Sequence, residues 1–82
     1  MNKHHVLKIH PEYYKEVASG NKTFEIRDNS DRHFKVGDTI CLQEYDKGEF
    51  LPSKSIWATI TYITNYAQYP QYVVFSFKRM LP

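Results

Sequence analysis

With 82 residues, 41% of them hydrophobic and 24% charged, the chain is sized for one small domain over residues 1–82 and a modest core. Eleven Lys and Arg against nine Asp and Glu leave a net charge of +2, too little for a protein that grips long duplexes through phosphates, so any nucleic-acid ligand is expected to be short or a single nucleotide. One cysteine excludes an internal disulfide, and without a membrane-length apolar run or a signal-peptide pattern the expectation is a cytoplasmic domain with no membrane partner.

His4 to Ile9 alternates as a first strand, with His5, Leu7 and Ile9 on one face. Pro11 suits the first position of a helix, where its missing N–H costs nothing, and Gly20 suits the helix end. Between them Tyr14, Val17 and Ala18 share a face. A second strand is predicted from Lys22 to Asp28. Strict alternation puts Phe24 and Ile26 on one face and Thr23, Glu25, Arg27 and Asn29 on the other, so Phe24 and Ile26 are the expected core contacts. Asn29-Ser30-Asp31 reads as a turn, and Gly37 as the positive-φ residue of a tight turn into the next strand. Thr39 to Tyr45, Ile56 to Ile63 and Tyr72 to Lys78 read as further strands, the last with Val73, Phe75 and Phe77 on one face. Short connections between them favour antiparallel pairing. The pattern predicts an α+β fold: a mostly antiparallel sheet, able to curl into a small barrel, with one short helix after the first strand.

The octet Gly20-Asn21-Lys22-Thr23-Phe24-Glu25-Ile26-Arg27 resembles the Gly-x-Lys-x-x-Glu-x-Arg signature of ASCH domains, members of the PUA-like superfamily. The likeness continues through His5-x-Leu7-Lys8, Asn29-x-Asp31-Arg32, Val36-Gly37-Asp38 and Leu42-Gln43-Glu44-Tyr45. Nearly the whole chain is thereby similar to the short ASCH-related DUF3850 family of bacteria and phages. The resemblance implies an ASCH-type, PUA-like β-barrel and binding of RNA or a nucleotide in a cleft beside the helix. Lys22, Glu25, Arg27, Asn29 and Arg32 are the residues expected there. An arginine can clamp phosphate in two-pronged fashion, a glutamate can accept from an exocyclic amine, and a lysine can neutralise phosphate. For Asn29 the competing reading is plain turn chemistry.

The second reading is a small amidohydrolase-like enzyme acting on a modified base or nucleoside, with Lys22 and Glu25 as the acid/base pair. ASCH-type enzymes that deacylate N4-acetylcytidine carry a threonine three residues after their lysine. Glu25 stands at that position here, and Thr23, one residue after Lys22, points the other way in an extended strand. A third reading is a module that takes a peptide in the same cleft. The four histidines lack metal-site spacing and three glycines cannot build a phosphate loop, so no metal or cofactor is expected. Tyr62, Tyr66, Tyr69 and Tyr72 are expected to serve core and loop packing, with a stacking platform for single strands as the other reading.

Overall fold

A computed structural model describes residues 2–52 and 55–80. The elements follow in the order β1 (His4–Ile9), α1 (Pro11–Ala18), β2 (Phe24–Asp28), β3 (Thr39–Asp46), β4 (Glu49–Phe50), β5 (Ile56–Thr64) and β6 (Tyr72–Arg79). Pro11 opens α1 with Glu12 in the first turn, near the positive end of the helix dipole. At the other end Gly20, at φ 87°, lets the chain reverse while Asn21 and Lys22 both donate to the Glu16 carbonyl. Eight residues are too few for a helix to persist alone, and α1 is held by fully buried Val17.

The sheet runs β1-β3-β5-β6-β2, with β4 paired to β3. Pairing is antiparallel except between β1 and β3, whose parallel register requires a crossover, here built from α1 and β2. As a result β2 does not pair with its successor β3 but lies against the last strand, with Glu25 opposite Phe75 and Arg27 opposite Val73. The inner face collects Leu7, Ile9, Ile40, Leu42, Ile60 and Phe75 around Val17. Each such side chain fully buried is worth ~1.5–3 kcal/mol, so these residues carry most of the stability of a domain this small. Between Ile60 and Tyr62 the register against β6 shifts by one. That bulge keeps Ile60 inside, lets Ile63 pack on the core, and turns Tyr62 to the outer face.

Backbone pairing does not close the sheet, and β1 and β2 are its two ends. Two arginine side chains span the gap: Arg27 Nη2 donates to the Lys8 carbonyl at 2.7 Å and Arg32 Nη2 to the Val6 carbonyl at 3.3 Å. Both carbonyls lie on the side of β1 turned away from β3, where a further strand would otherwise bond them.

Two sequence expectations are reversed. Phe24 and Ile26 are not core contacts: they are 43% and 52% exposed, whereas Glu25 is 5% exposed on the inner face. The reason lies in the position of β2 at the sheet's end. There the inner face meets an unpaired edge instead of a sealed core, and a carboxylate held by Lys22 and by Arg27, whose guanidinium also satisfies the Lys8 carbonyl of β1, fits it better than apolar side chains. Nor do the tyrosines pack inward, for Tyr66 is 83% and Tyr69 82% exposed, and Tyr62 and Tyr72 also reach solvent. Tyr66 and Tyr69 stand on the β5–β6 loop, where Ala67 and Gln71 hold left-handed backbone, and the bulge accounts for Tyr62.

Candidate functional site

Three of the five expected residues meet around one carboxylate. Glu25 projects inward from β2, and Arg27, two residues on and therefore on the same face, places Nε 2.8 Å from Oε2. Lys22, brought alongside by the reversal at Gly20, donates its ammonium to the Phe24 carbonyl at 2.7 Å and to Glu25 Oε1. The carboxylate is buried, while Lys22 and Arg27 stay partly open to solvent. Two charge-assisted bonds offset the cost of taking the Glu25 charge out of water, and the cluster keeps an excess of one positive charge.

Beside this cluster lies a pocket of about 320 Å³ lined by Tyr13, Lys22, Phe24, Glu25 and Ile26. The Lys22 ammonium is 5.7 Å from the Tyr13 ring centre and 5.0 Å from that of Phe24. Two aromatic rings and a cation thus border the space, and Glu25, its carboxylate turned to the inner face, lines it as well. An ammonium has three N–H donors, of which Lys22 spends two on Phe24 and Glu25, leaving one for an anion. Each Glu25 oxygen retains acceptor capacity after its single bond, enough to take an amine N–H from a planar ligand. The direct Lys22–Glu25 contact is also what a proton-exchanging pair requires.

Asn29 and Arg32 do not reach this pocket. Asn29 Oδ1 accepts from the Phe34 N–H at 2.7 Å and its own N–H bonds the Gln71 carbonyl at 2.7 Å, which fixes the turn after β2. Asn29 lines a separate hollow of about 270 Å³ with Asn65, Gln71 and Tyr72. Arg32 is committed to the Val6 carbonyl. Conversely, Tyr13, Phe24 and Ile26 were absent from the expected set. Alternation along β2 does not say which face turns inward, so Phe24 and Ile26 carry no sequence signal as pocket residues. For Tyr13, half-exposed on α1, spacing along the chain carries no signal, because its pocket exists only once α1 sits beside β2.

Away from the pocket, His5 is buried with its Nε2 2.8 Å from Asp38 Oδ2 and its ring 4.5 Å from that of Phe34. Among the described residues no cluster of three His, Cys, Asp or Glu converges as a metal site requires, and no helix is long and apolar enough to cross a membrane.

A family model described as a domain of unknown function (DUF3850) matches residues 4–77. A protein of Escherichia phage P2, named "Uncharacterized 12.9 kDa protein in GpA 3'region", is 38% identical over 65 residues, which make up 79% of this chain and 58% of the phage protein. The chain therefore spans less than two thirds of that relative's length.

Proposed function

This chain belongs to the DUF3850 family, and we propose that it is an RNA- or nucleotide-binding module of ASCH type, its ligand held in the pocket around Lys22 and Glu25. The observation that carries this reading is one pocket lined by two aromatic residues, Tyr13 and Phe24, together with Lys22 and largely buried Glu25. In this reading a nucleobase stacks on an aromatic wall, its exocyclic amine offered to Glu25 and its phosphate to the remaining Lys22 donor. In the same proposal the curled sheet is a PUA-like barrel whose last seam, between β1 and β2, is joined by Arg27 and Arg32 instead of a backbone ladder. Arg27 then works from behind the pocket, orienting the Glu25 carboxylate, and Arg32 and Asn29 hold the walls.

Cytidine 5′-monophosphate is the direct probe. Lys22→Ala is expected to weaken it by about tenfold, one charge-assisted contact, while affecting cytidine far less. Glu25→Gln is expected to change the preferred base. With short single-stranded RNA the logarithmic salt slope should correspond to roughly two to four phosphates, as the small net charge allows. Nucleotide binding that neither substitution alters, or a slope several times steeper, would remove the pocket from the reading.

The part-buried Lys22–Glu25 contact favours a second reading, hydrolysis of a modified base or nucleoside with these two residues exchanging the proton. Because Glu25 occupies the position where the N4-acetylcytidine enzymes carry threonine, incubation with N4-acetylcytidine is expected to release no cytidine above background. Turnover that disappears in Lys22→Ala would promote the enzyme.

A further inference from the structure

The outer face of the sheet continues from the pocket. Ile26 lines the Lys22–Glu25 pocket and also an open groove of about 870 Å³ that it shares with Tyr69, Pro70 and Tyr72. The pairing register places Phe24 beside Ser76 and Ser76 beside Tyr62, then Ile26 beside Val74, then Asp28 beside Tyr72. All of these point outward, and Phe24, Ile26, Tyr62, Tyr69 and Tyr72 are exposed there. From Phe24 to Asp28 the strand covers ~13 Å, room for more than one nucleotide. Lys78, two residues beyond Ser76 and exposed, shares this face and lies at the end where Lys22 enters.

We propose that a single-stranded RNA runs from the Lys22–Glu25 pocket across Ile26 onto the tyrosine face, so that the ligand is an oligonucleotide and not a lone nucleotide; this rests on the nucleotide-binding reading above. Charge sorts the surface as a polyanion needs it. The lysines stand together at one end, exposed aromatic faces occupy the middle, and Asp28 beside Tyr72 keeps phosphate from the far end while offering an acceptor to a base amine. Exposed rings accept bases of any sequence by stacking, and Tyr69 and Tyr72 already sit edge to face at 6.4 Å. The Ser76 hydroxyl, 2.9 Å from that of Thr61 and between the rows of Phe24 and Tyr62, is placed to bond a ribose 2′-hydroxyl, which distinguishes RNA from DNA.

The test compares cytidine 5′-monophosphate, hexacytidylate RNA and its deoxy counterpart by titration against the parent protein, Lys22→Ala, Lys78→Ala, Tyr69→Ala and Tyr69→Phe. Hexacytidylate RNA is expected to bind at least about tenfold tighter than the mononucleotide, because stacking of each further base is worth roughly five- to hundredfold. Tyr69→Ala, at a side chain exposed enough to spare the fold, should lose about that factor for the RNA and nothing for the mononucleotide. Tyr69→Phe keeps the ring and should retain the affinity, and Lys78→Ala should flatten the RNA's salt dependence. If the mononucleotide remains Lys22-dependent while the RNA gains nothing over it and ignores Tyr69, the extended path is wrong and the pocket reading survives. If neither probe responds to Lys22→Ala, both fall together. Equal or tighter binding of the deoxy strand overturns the choice of RNA. If Tyr69→Ala instead abolishes only self-association in sedimentation, the face belongs to a second copy of this chain.

Discussion

Replacing Asp38 by alanine is expected to remove about 3–5 kcal/mol of stability, which for a domain of this size is a large share of the total. Asp38 is buried at the entrance to β3, where its Oδ1 accepts from the Lys3 N–H at 3.0 Å and its Oδ2 from His5 Nε2 at 2.8 Å and the Lys35 N–H at 3.0 Å. Its own backbone continues the tie, the carbonyl accepting from Ile60 at 2.9 Å and the N–H bonding Lys35. One carboxylate thus joins the segment before β1, β1 itself and the turn into β3. Truncation strands two N–H groups and a buried imidazole at once. Asp38→Asn keeps one acceptor oxygen and should recover part of the loss, and a urea titration of the two variants measures both. A change below about 1 kcal/mol in Asp38→Ala would mean that these bonds are replaced by water without cost.

The same residue sets a sign for the pH dependence. Burial pushes the Asp38 carboxyl up, but the Lys3 N–H, the His5 ring and the Lys35 N–H outweigh it, and the folded pKa lies below the ordinary 3.8. On acidification the unfolded chain therefore takes up this proton first. The contribution is complete above the ordinary 3.8 of the unfolded chain and is lost as pH falls through the lower folded value. Acid unfolding of Asp38→Asn should lack this component.

The second large effect is expected at Arg27. Arg27→Ala should cost about 2–3 kcal/mol, because it leaves buried Glu25 with Lys22 alone and frees the Lys8 carbonyl at the sheet's end. Lysine is not a substitute, since only the planar fork of arginine reaches the carboxylate with Nε and the carbonyl with Nη2 together. Arg27→Lys should therefore recover less than half the loss, and amide exchange along β1 should quicken in both variants as the seam opens. Arg32→Ala, whose bond is longer and exposed, is expected to stay below about 1 kcal/mol. A loss equally small in Arg27→Ala would return the Glu25–Arg27 pair to the status of a solvated surface contact.

The helix and the strands other than β4 were legible in the sequence because they depend on local signals; the two-residue β4, Glu49–Phe50, is too short to show alternation and exists only through its pairing with β3. Alternation in His4–Ile9 and Tyr72–Arg79, proline at the start of α1 and glycine at its end act over a few residues and survive any tertiary context. The charged octet was legible too, since Lys22, Glu25 and Arg27 are close in sequence and their meeting needs only a turn and a strand. What a strand does with its two faces is a different matter. Alternation separates Phe24 and Ile26 from Glu25 and Arg27 but says nothing of which pair turns inward. That was decided by the place of β2 at the end of the sheet, against β6 on one side and the unpaired edge of β1 on the other, where satisfying a carboxylate and the Lys8 carbonyl outweighed burying two apolar side chains. Tyr13 entered the pocket, and Asn29 and Arg32 stayed out of it, through tertiary placement: α1 lies beside β2, the β2–β6 pairing brings Asn29 to Gln71, and the seam with β1 takes Arg32 to the Val6 carbonyl. The exposure of Tyr62 rests on a single bulged residue, a long-range register adjustment that no local pattern in Ile56–Thr64 announces.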